Sequence, residues 1–256
     1  MNAWLMLCLG LAQPVYQQPL PYLYLPPALE DRLVYYRTFD GESGRAEVDR
    51  LPLAEQRGPA LGSSGLVGKS GVTGGPVKAA YRLTGAGLSP HGPLTVMFWW
   101  RLPQPMPVNG GFELLGLNGR GYISVFGRGG PWCGLADTAM VLQSWNLLGI
   151  PNINNIYDNA PRKSLALDEP RWHHTALTVA GGRMVRLYTD GQPSTHNQLE
   201  SRPLGVEDQI QQLEIGGEGS PTLHLDEVLV LARVLDDTEI ADYVRGVKAL
   251  LAIGLR

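Results

Sequence analysis

RWHHTALTVAGGRMVRLYTDGQPS, residues 171–194, decides the fold. Thr175, Leu177 and Val179 alternate with Ala176 and Thr178, and Val185, Leu187 and Thr189 alternate with Arg186 and Tyr188. Period-two runs rich in β-branched and aromatic residues read as strands. Gly181-Gly182 supplies the positive φ angles of a tight turn between them, and Asp190-Gly191 does the same after the second run. Neighbouring side chains on a strand point to opposite faces, so His173 and His174 cannot chelate one ion together as histidines one helical turn apart do. The expectation is one packed histidine and one near an edge, with no site formed by the pair itself.

Working outward, the same alternation recurs along the chain. LTVMFWWRL (94–102) is its clearest instance: Leu94, Val96, Phe98 and Trp100 share one face, and Thr95, Met97, Trp99 and Arg101 the other. Strands are also expected in residues 33–39, 77–85, 112–117, 121–127, 139–145, 211–217 and 223–235, while GLVGKSGVTGG (65–75) reads mostly as turns. Only the end of the chain reads as helix. Asp236 with Glu239 three residues on is a capping-box arrangement, and Ile240, Val244, Val247 and Leu251 then recur at helical spacing. Many short strands with frequent turn signals imply an all-β antiparallel sandwich closed by a short C-terminal helix.

Composition agrees. The chain has 256 residues, 44% hydrophobic and 18% charged, enough for one large sandwich; 32 glycines and 20 prolines favour short strands and turns over long helices. A net charge of −3 suggests no polyanion-binding surface, which argues against nucleic acid as a partner. Met1–Ala12 resembles a secretory signal, with an apolar run from Ala3 to Leu11 and a small-x-small pattern at Gly10-Leu11-Ala12. No other apolar run is long enough to span a membrane. Residues 13–30 carry five prolines and read as an extended tether, leaving 31–256 as the domain. Once the signal is removed with Cys8, Cys133 is alone and no internal disulfide is expected.

Three segments resemble a known family. LTVMFWWRLP, then RWHHTALTV with VRLYTDGQPS, then LDEVLVLARVLDDTEI are similar, in order and spacing, to the strand, hairpin and strand-to-helix motifs of laminin-G-like, concanavalin A-type (lectin–glucanase superfamily) jelly-roll modules. The resemblance covers Leu33 to Arg245. It assigns the histidines to a structural strand of the family, and implies a module that binds carbohydrate or a cell-surface protein, or that serves as a structural spacer. It also implies a calcium ion where the first strand meets the last, with Asp40 and Asp226 as ligands, hard oxygen donors clamping the two ends of the chain. The alternative for these residues is a turn cap at Asp40 and backbone amide bonds at Asp226.

Residues 128–170 depart from the family pattern as a long stretch with one strand and much loop, and loops of that length in compact domains are commonly functional. There Trp145, Asn154, Asn155, Tyr157 and Asp158 combine aromatic faces with amide and carboxylate groups, which is what sugar recognition needs; Trp132 and Trp145 fit a core equally well.

Catalytic signals are weak. Some relatives are glycosidases with three carboxylates on one strand face, but Glu47-Val48-Asp49-Arg50-Leu51-Pro52 lacks the third and reads as a surface loop. GSSGLVGKS (62–70) has its first glycine out of register for a phosphate-binding loop, and no helix pattern follows. No G-x-S-x-G elbow supports a nucleophile. The expectation is an exported, non-catalytic recognition module, secreted, periplasmic or on the cell surface, with a glycan-cleaving enzyme or a purely structural surface protein as the alternatives.

Overall fold

The computed structural model describes residues 27–40, 48–49, 60–62, 65–66, 68–74, 79–83, 88, 92–106, 110–118, 121–126, 139–144, 153–157, 167, 170–180, 184–193, 198–199, 210–216 and 220–252. Sixteen strands and two helices occur among them. The strands are β1 (Leu33–Arg37), β2 (Val48–Asp49), β3 (Ala60–Gly62), β4 (Ser70–Thr73), β5 (Ala79–Arg82), β6 (Leu94–Arg101), β7 (Gly111–Leu117) and β8 (Gly121–Phe126). They continue with β9 (Ala139–Ser144), β10 (Ile153–Tyr157), β11 (His173–Val179), β12 (Met184–Thr189), β13 (Gln192–Pro193), β14 (Gln198–Leu199), β15 (Gln212–Ile215) and β16 (Leu223–Leu231). The helices are α1 (Pro27–Glu30) and α2 (Asp237–Ala252).

The strands form two antiparallel sheets. The larger runs β13-β12-β11-β6-β16-β1-β2, with β14 also on β12, β4 also on β16, and β3 on β4; the smaller runs β10-β9-β8-β7-β15-β5. The quoted hairpin lies in the larger sheet, where Thr175 to Val179 face Thr189 to Val185 in unbroken register. Asp190 (φ 51°) and Gly191 (φ 84°) make the following two-residue turn, closed by the Thr189–Gln192 pair. The Gly181-Gly182 turn is outside the described residues.

Alternation along β6 builds two apolar layers. Val96, Phe98 and Trp100 point between the sheets and pack with Leu177, Leu187, Leu225, Leu115 and Ile123. Met97 and Trp99 point to the outer side, where α2 covers them with Ile240, Tyr243, Val244 and Val247. The expected capping box starts α2: Glu239 N–H donates to Asp236 Oδ1 at 2.8 Å and Asp236 N–H to Glu239 Oε2 at 3.0 Å.

Four local expectations change. Residues 70–73 are a strand and not turns, because the edge of β16 beyond β1 needs a partner for its backbone groups. Val48–Asp49 pairs with Tyr35 and Tyr36 as an edge strand, where a surface loop was expected. The long 128–170 stretch holds two strands, since Ile153–Tyr157 adds to β9. The end of the proline-rich tether is helical at Pro27–Glu30, anchored by buried Leu29 in the outer layer.

Candidate functional site

β16 shares one of its edges between two strands: β1 pairs with its second half and β4 with its first. The interval between them is a bulge, marked by a register shift between Asp226 and Leu229 and by a positive φ (50°) at Glu227. A bulge re-aims side chains. Here it buries two successive carboxylates, Asp226 at 1% and Glu227 at 2% exposure.

The segment before β4 closes over this interval. Leu66 N–H donates to Asp226 Oδ2 at 2.7 Å, Glu227 N–H to Asp226 Oδ1 at 2.9 Å, and Tyr36 O–H to Glu227 Oε2 at 2.5 Å. Asp40, just beyond β1, accepts from Lys69 N–H at 2.8 Å. Gly68 permits that approach, since a Cβ there would lie 2.2 Å from Asp40 Oδ1, and its φ is +60°. The two residues expected at the meeting of first and last strands therefore converge on one segment, at Leu66 and at Gly68 with Lys69. Burial pushes the Asp226 carboxyl well above its ordinary value, and the charges of Glu227 and Asp40 add to the shift. The concentration of negative charge suits a cation, whereas Asp226 has both oxygens already engaged by N–H groups. Among the described residues no group of three or more His, Cys, Asp or Glu is arranged to hold a metal ion.

Beside this cluster, the outer face of the large sheet carries two successive rows of side chains. In the first, His174 pairs with Trp99 and Trp99 with Asp226, and all three are buried. The His174 ring lies 5.2 Å from Trp99 and 5.5 Å from Tyr243 of α2, and neither ring nitrogen has a hydrogen-bond partner. Burial lowers its pKa to about 3, against a raising effect from Asp190. His173 faces the other way, its ring 5.1 Å from Trp100 and its Nδ1 3.1 Å from Asp190 Oδ2. Both histidines are buried, so the one expected near an edge is instead packed in the sheet.

The second row lies two residues further along β6 and β16, with Trp172 just before β11 partly buried against the outer apolar layer, as Leu251 of α2 is. Arg101 pairs with His224, and His224 with Val72. The Arg101 guanidinium lies over the Trp172 ring, 5.1 Å from its centroid. His224 Nδ1 is 2.9 Å from Ser70 Oγ, which fixes the ring. Trp172, Arg101, His224 and Val72 are all half-buried. Burial lowers the Arg101 pKa from its ordinary value.

At the same end of the sandwich a groove of about 480 Å³ opens between the segment leaving β6 and the segment entering β16. Leu102, Pro103, Met106, Phe112, Pro221 and Thr222 are among its walls. This volume falls in the range of small-ligand sites, roughly 300–1,000 Å³. Met106 N–H donates to the carbonyl of Leu167 at 3.0 Å, so the end of the 128–170 stretch is tied to the groove wall.

Of the expected ligand-contacting residues, Asn154, Asn155 and Tyr157 belong to β10 at the edge of the smaller sheet, where Tyr157 pairs with Val141; their side chains are outside the described set. Trp145 and Asp158 lie outside the described residues, as do Trp132 and Cys133. The sequence reading missed Trp172, Arg101 and His224 as a group. Alternation had placed Arg101 on the Trp99 face, but which strand lies opposite is a matter of tertiary pairing.

No family model matches the chain, and no curated protein matches it. Solved structures do. The binding domain of Paraclostridial Mosquitocidal Protein 1 is similar at a TM-score of 0.59 and 14% identity, over 83% of this chain and 52% of that one. The binding domain of Botulinum Neurotoxin DC in complex with SialylT gives 0.56 and 9%, over 85% and 52%. The same domain in complex with rat synaptotagmin II gives 0.55 and 10%, over 84% and 52%. At these identities the likeness establishes the fold alone, an antiparallel β-sandwich. The chain spans about half the length of those structures.

Proposed function

We propose that this chain is a non-catalytic recognition module of laminin-G-like type that binds a glycan or a surface protein at the end of the sandwich where β6 leaves. The carrying observation is that a groove of about 480 Å³ and the half-buried Trp172–Arg101 contact lie together at that end. Similar domains crystallised with a protein and with SialylT support a binding role. The module is proposed to act outside the cytoplasm, a reading supported by the apolar Ala3–Leu11 run. Buried Asp226 and Glu227 cannot touch a polysaccharide, which supports binding without cleavage.

Calcium at Asp40 and Asp226 is a separate element of the proposal, supported by their bonds to Lys69 and Leu66 of one segment. A ligand held only by the folded state raises its stability. Millimolar calcium is expected to raise the melting temperature, and Asp40→Ala to abolish the rise. An unchanged melting temperature removes the metal from the account.

One observation favours a second reading, glycan cleavage. Glu113 Oε1 lies 2.6 Å from where a Cβ on Gly116 would be, and Glu214, paired with Gly116 across the strands, accepts from Gln212 Nε2 at 2.7 Å, so two acidic side chains neighbour one glycine of the smaller sheet. The test is a glycan array probed with the full chain, with calcium and again with chelator, followed by product analysis. Binding without products supports recognition; products lost in Glu113→Gln or Glu214→Gln establish the enzyme.

A further inference from the structure

The layer between the two sheets is built from apolar side chains, and Arg37 lies inside it. On β1 the alternation that sends Tyr36 outward to Glu227 sends Tyr35 and Arg37 inward. Their partners on β16 agree: Val230 stands opposite Tyr35 and Val228 opposite Arg37, and both valines belong to the inter-sheet core. Tyr35 meets Tyr81 of the smaller sheet with ring centroids 5.1 Å apart, and Tyr81 is close enough to Arg37 to feel its charge. Arg37 is 5% exposed. Its guanidinium carbon lies 4.5 Å from the centroid of the buried Phe39 ring, and its Nε has no hydrogen-bond partner. Among the described residues no carboxylate is paired with it.

A cation taken out of water needs an anion, and contact with one aromatic ring offsets only a fraction of that cost. Burial keeps Tyr81 protonated, so it does not supply the missing negative charge. Packing alone would be served as well by an apolar side chain of similar volume. Phe39, whose ring supports the guanidinium, has a φ of 67°, a left-handed conformation that bulky residues avoid. Strain of that kind marks places where a fold holds a group for use. The position is also near the outside: β2 ends the larger sheet beside β1, and β5, which carries Tyr81, ends the smaller one. We infer that Arg37 anchors a second binding site, between β1 and β5, that takes one small free carboxylate. The planar guanidinium offers only donors, in a fork that matches two carboxylate oxygens. So little of Arg37 is exposed that a small ion fits and a ridge of another chain does not. The site is separate from the groove beside β6 and does not depend on it.

The test is fluorine NMR of trifluoroacetate mixed with the full chain at fixed ionic strength. The line of the anion is expected to broaden, acetate to reverse the broadening, and the same concentration of chloride to reverse it far less. Arg37→Met should abolish the broadening and, without added carboxylate, melt no lower than the unsubstituted chain. Near-ultraviolet circular dichroism reports whether each variant is folded. Should Arg37→Met not fold, Arg37→Lys carries the test, because it keeps the charge and loses the fork; the broadening should then weaken several-fold. No broadening with the unsubstituted chain, or broadening that survives in either folded variant at full strength, overturns the site. Chloride displacing the probe as well as acetate does overturns its assignment to a carboxylate. Asp49, paired with Tyr35 on β2, is an acidic position in register two residues from Arg37. Broadening that appears only in Asp49→Asn would mean that the chain fills the fork itself, and overturns the inference.

Discussion

Two rows of side chains cross the same three central strands two residues apart, and they have opposite characters. His174, Trp99 and Asp226 are fully buried, the His174 ring against Tyr243 of α2, whereas Trp172, Arg101 and His224 are only half-buried. Both mix aromatic and titratable groups, so composition does not distinguish them. Cover does. A polar group under a helix must be neutral or bonded within the protein, while one at the edge of the cover keeps access to a ligand.

The largest break in that comparison is Trp99→Ala. Emptying a fully buried indole site costs about 3–5 kcal/mol, whereas Trp172→Ala, at the margin, is expected to cost about 1 kcal/mol. Urea denaturation of the two variants measures the contrast directly. Similar losses would mean that the second row is core as well.

Next in size is the pH response of the buried row. The folded-state pKa of His174 lies below its unfolded value of 6.5, so the unfolded chain takes up the proton first and stability falls as pH drops from 6.5 toward 3. Between pH 6.5 and pH 4.5 this amounts to about 2–3 kcal/mol. Asp226 acts in the opposite sense. Its folded pKa is raised above 3.8, so its contribution is full below that value and is lost as pH rises through the folded one. His174→Phe keeps a ring between Trp99 and Tyr243 and removes the titration. Its stability is expected to fall more steeply with rising pH across pH 4–6.5 than that of the unsubstituted chain, in which the His174 term opposes the Asp226 term. An unchanged slope in the variant would show that His174 is not the titrating group.

The helical cover itself is held at its start by the Asp236–Glu239 box and by the bonds of Asp237 Oδ1 with Arg186 and Tyr188. Asp236→Ala is expected to cost about 1 kcal/mol. Hydrogen exchange should rise in the first turn of α2 and, if that turn gates the cover, at the His174 amide, which donates to Asp190 Oδ1. Exchange confined to the first turn would show that the cover is held from its middle, by Tyr243 and Val247.

The sequence made this architecture legible through alternation and caps, both local. The faces of β6, the Asp190-Gly191 turn and the capping box follow from neighbouring residues alone. Asp40 and Asp226 were also within reach, because the resemblance joins first strand to last. The bulge at Glu227 was not, since LHLDEVLVL reads as regular alternation and the extra residue shows only against its partner strands. Neither was the second row. Residues 72, 101, 172 and 224 are far apart in the chain, and only the strand order β11-β6-β16 with β4 brings them side by side.

The smallest stability effect carries the sharpest test of the comparison. Arg101→Gln gives up a cation–π contact worth about 0.5–1 kcal/mol near a surface, and relieves the desolvation of the guanidinium. The two changes offset, so stability should move by less than about 0.5 kcal/mol, the range of ordinary surface substitutions. A residue whose loss leaves folding untouched is one that packing beneath α2 does not need. A loss above about 2 kcal/mol in urea denaturation would instead make Arg101 part of the packing, and the two rows would be one buried layer that α2 covers unevenly.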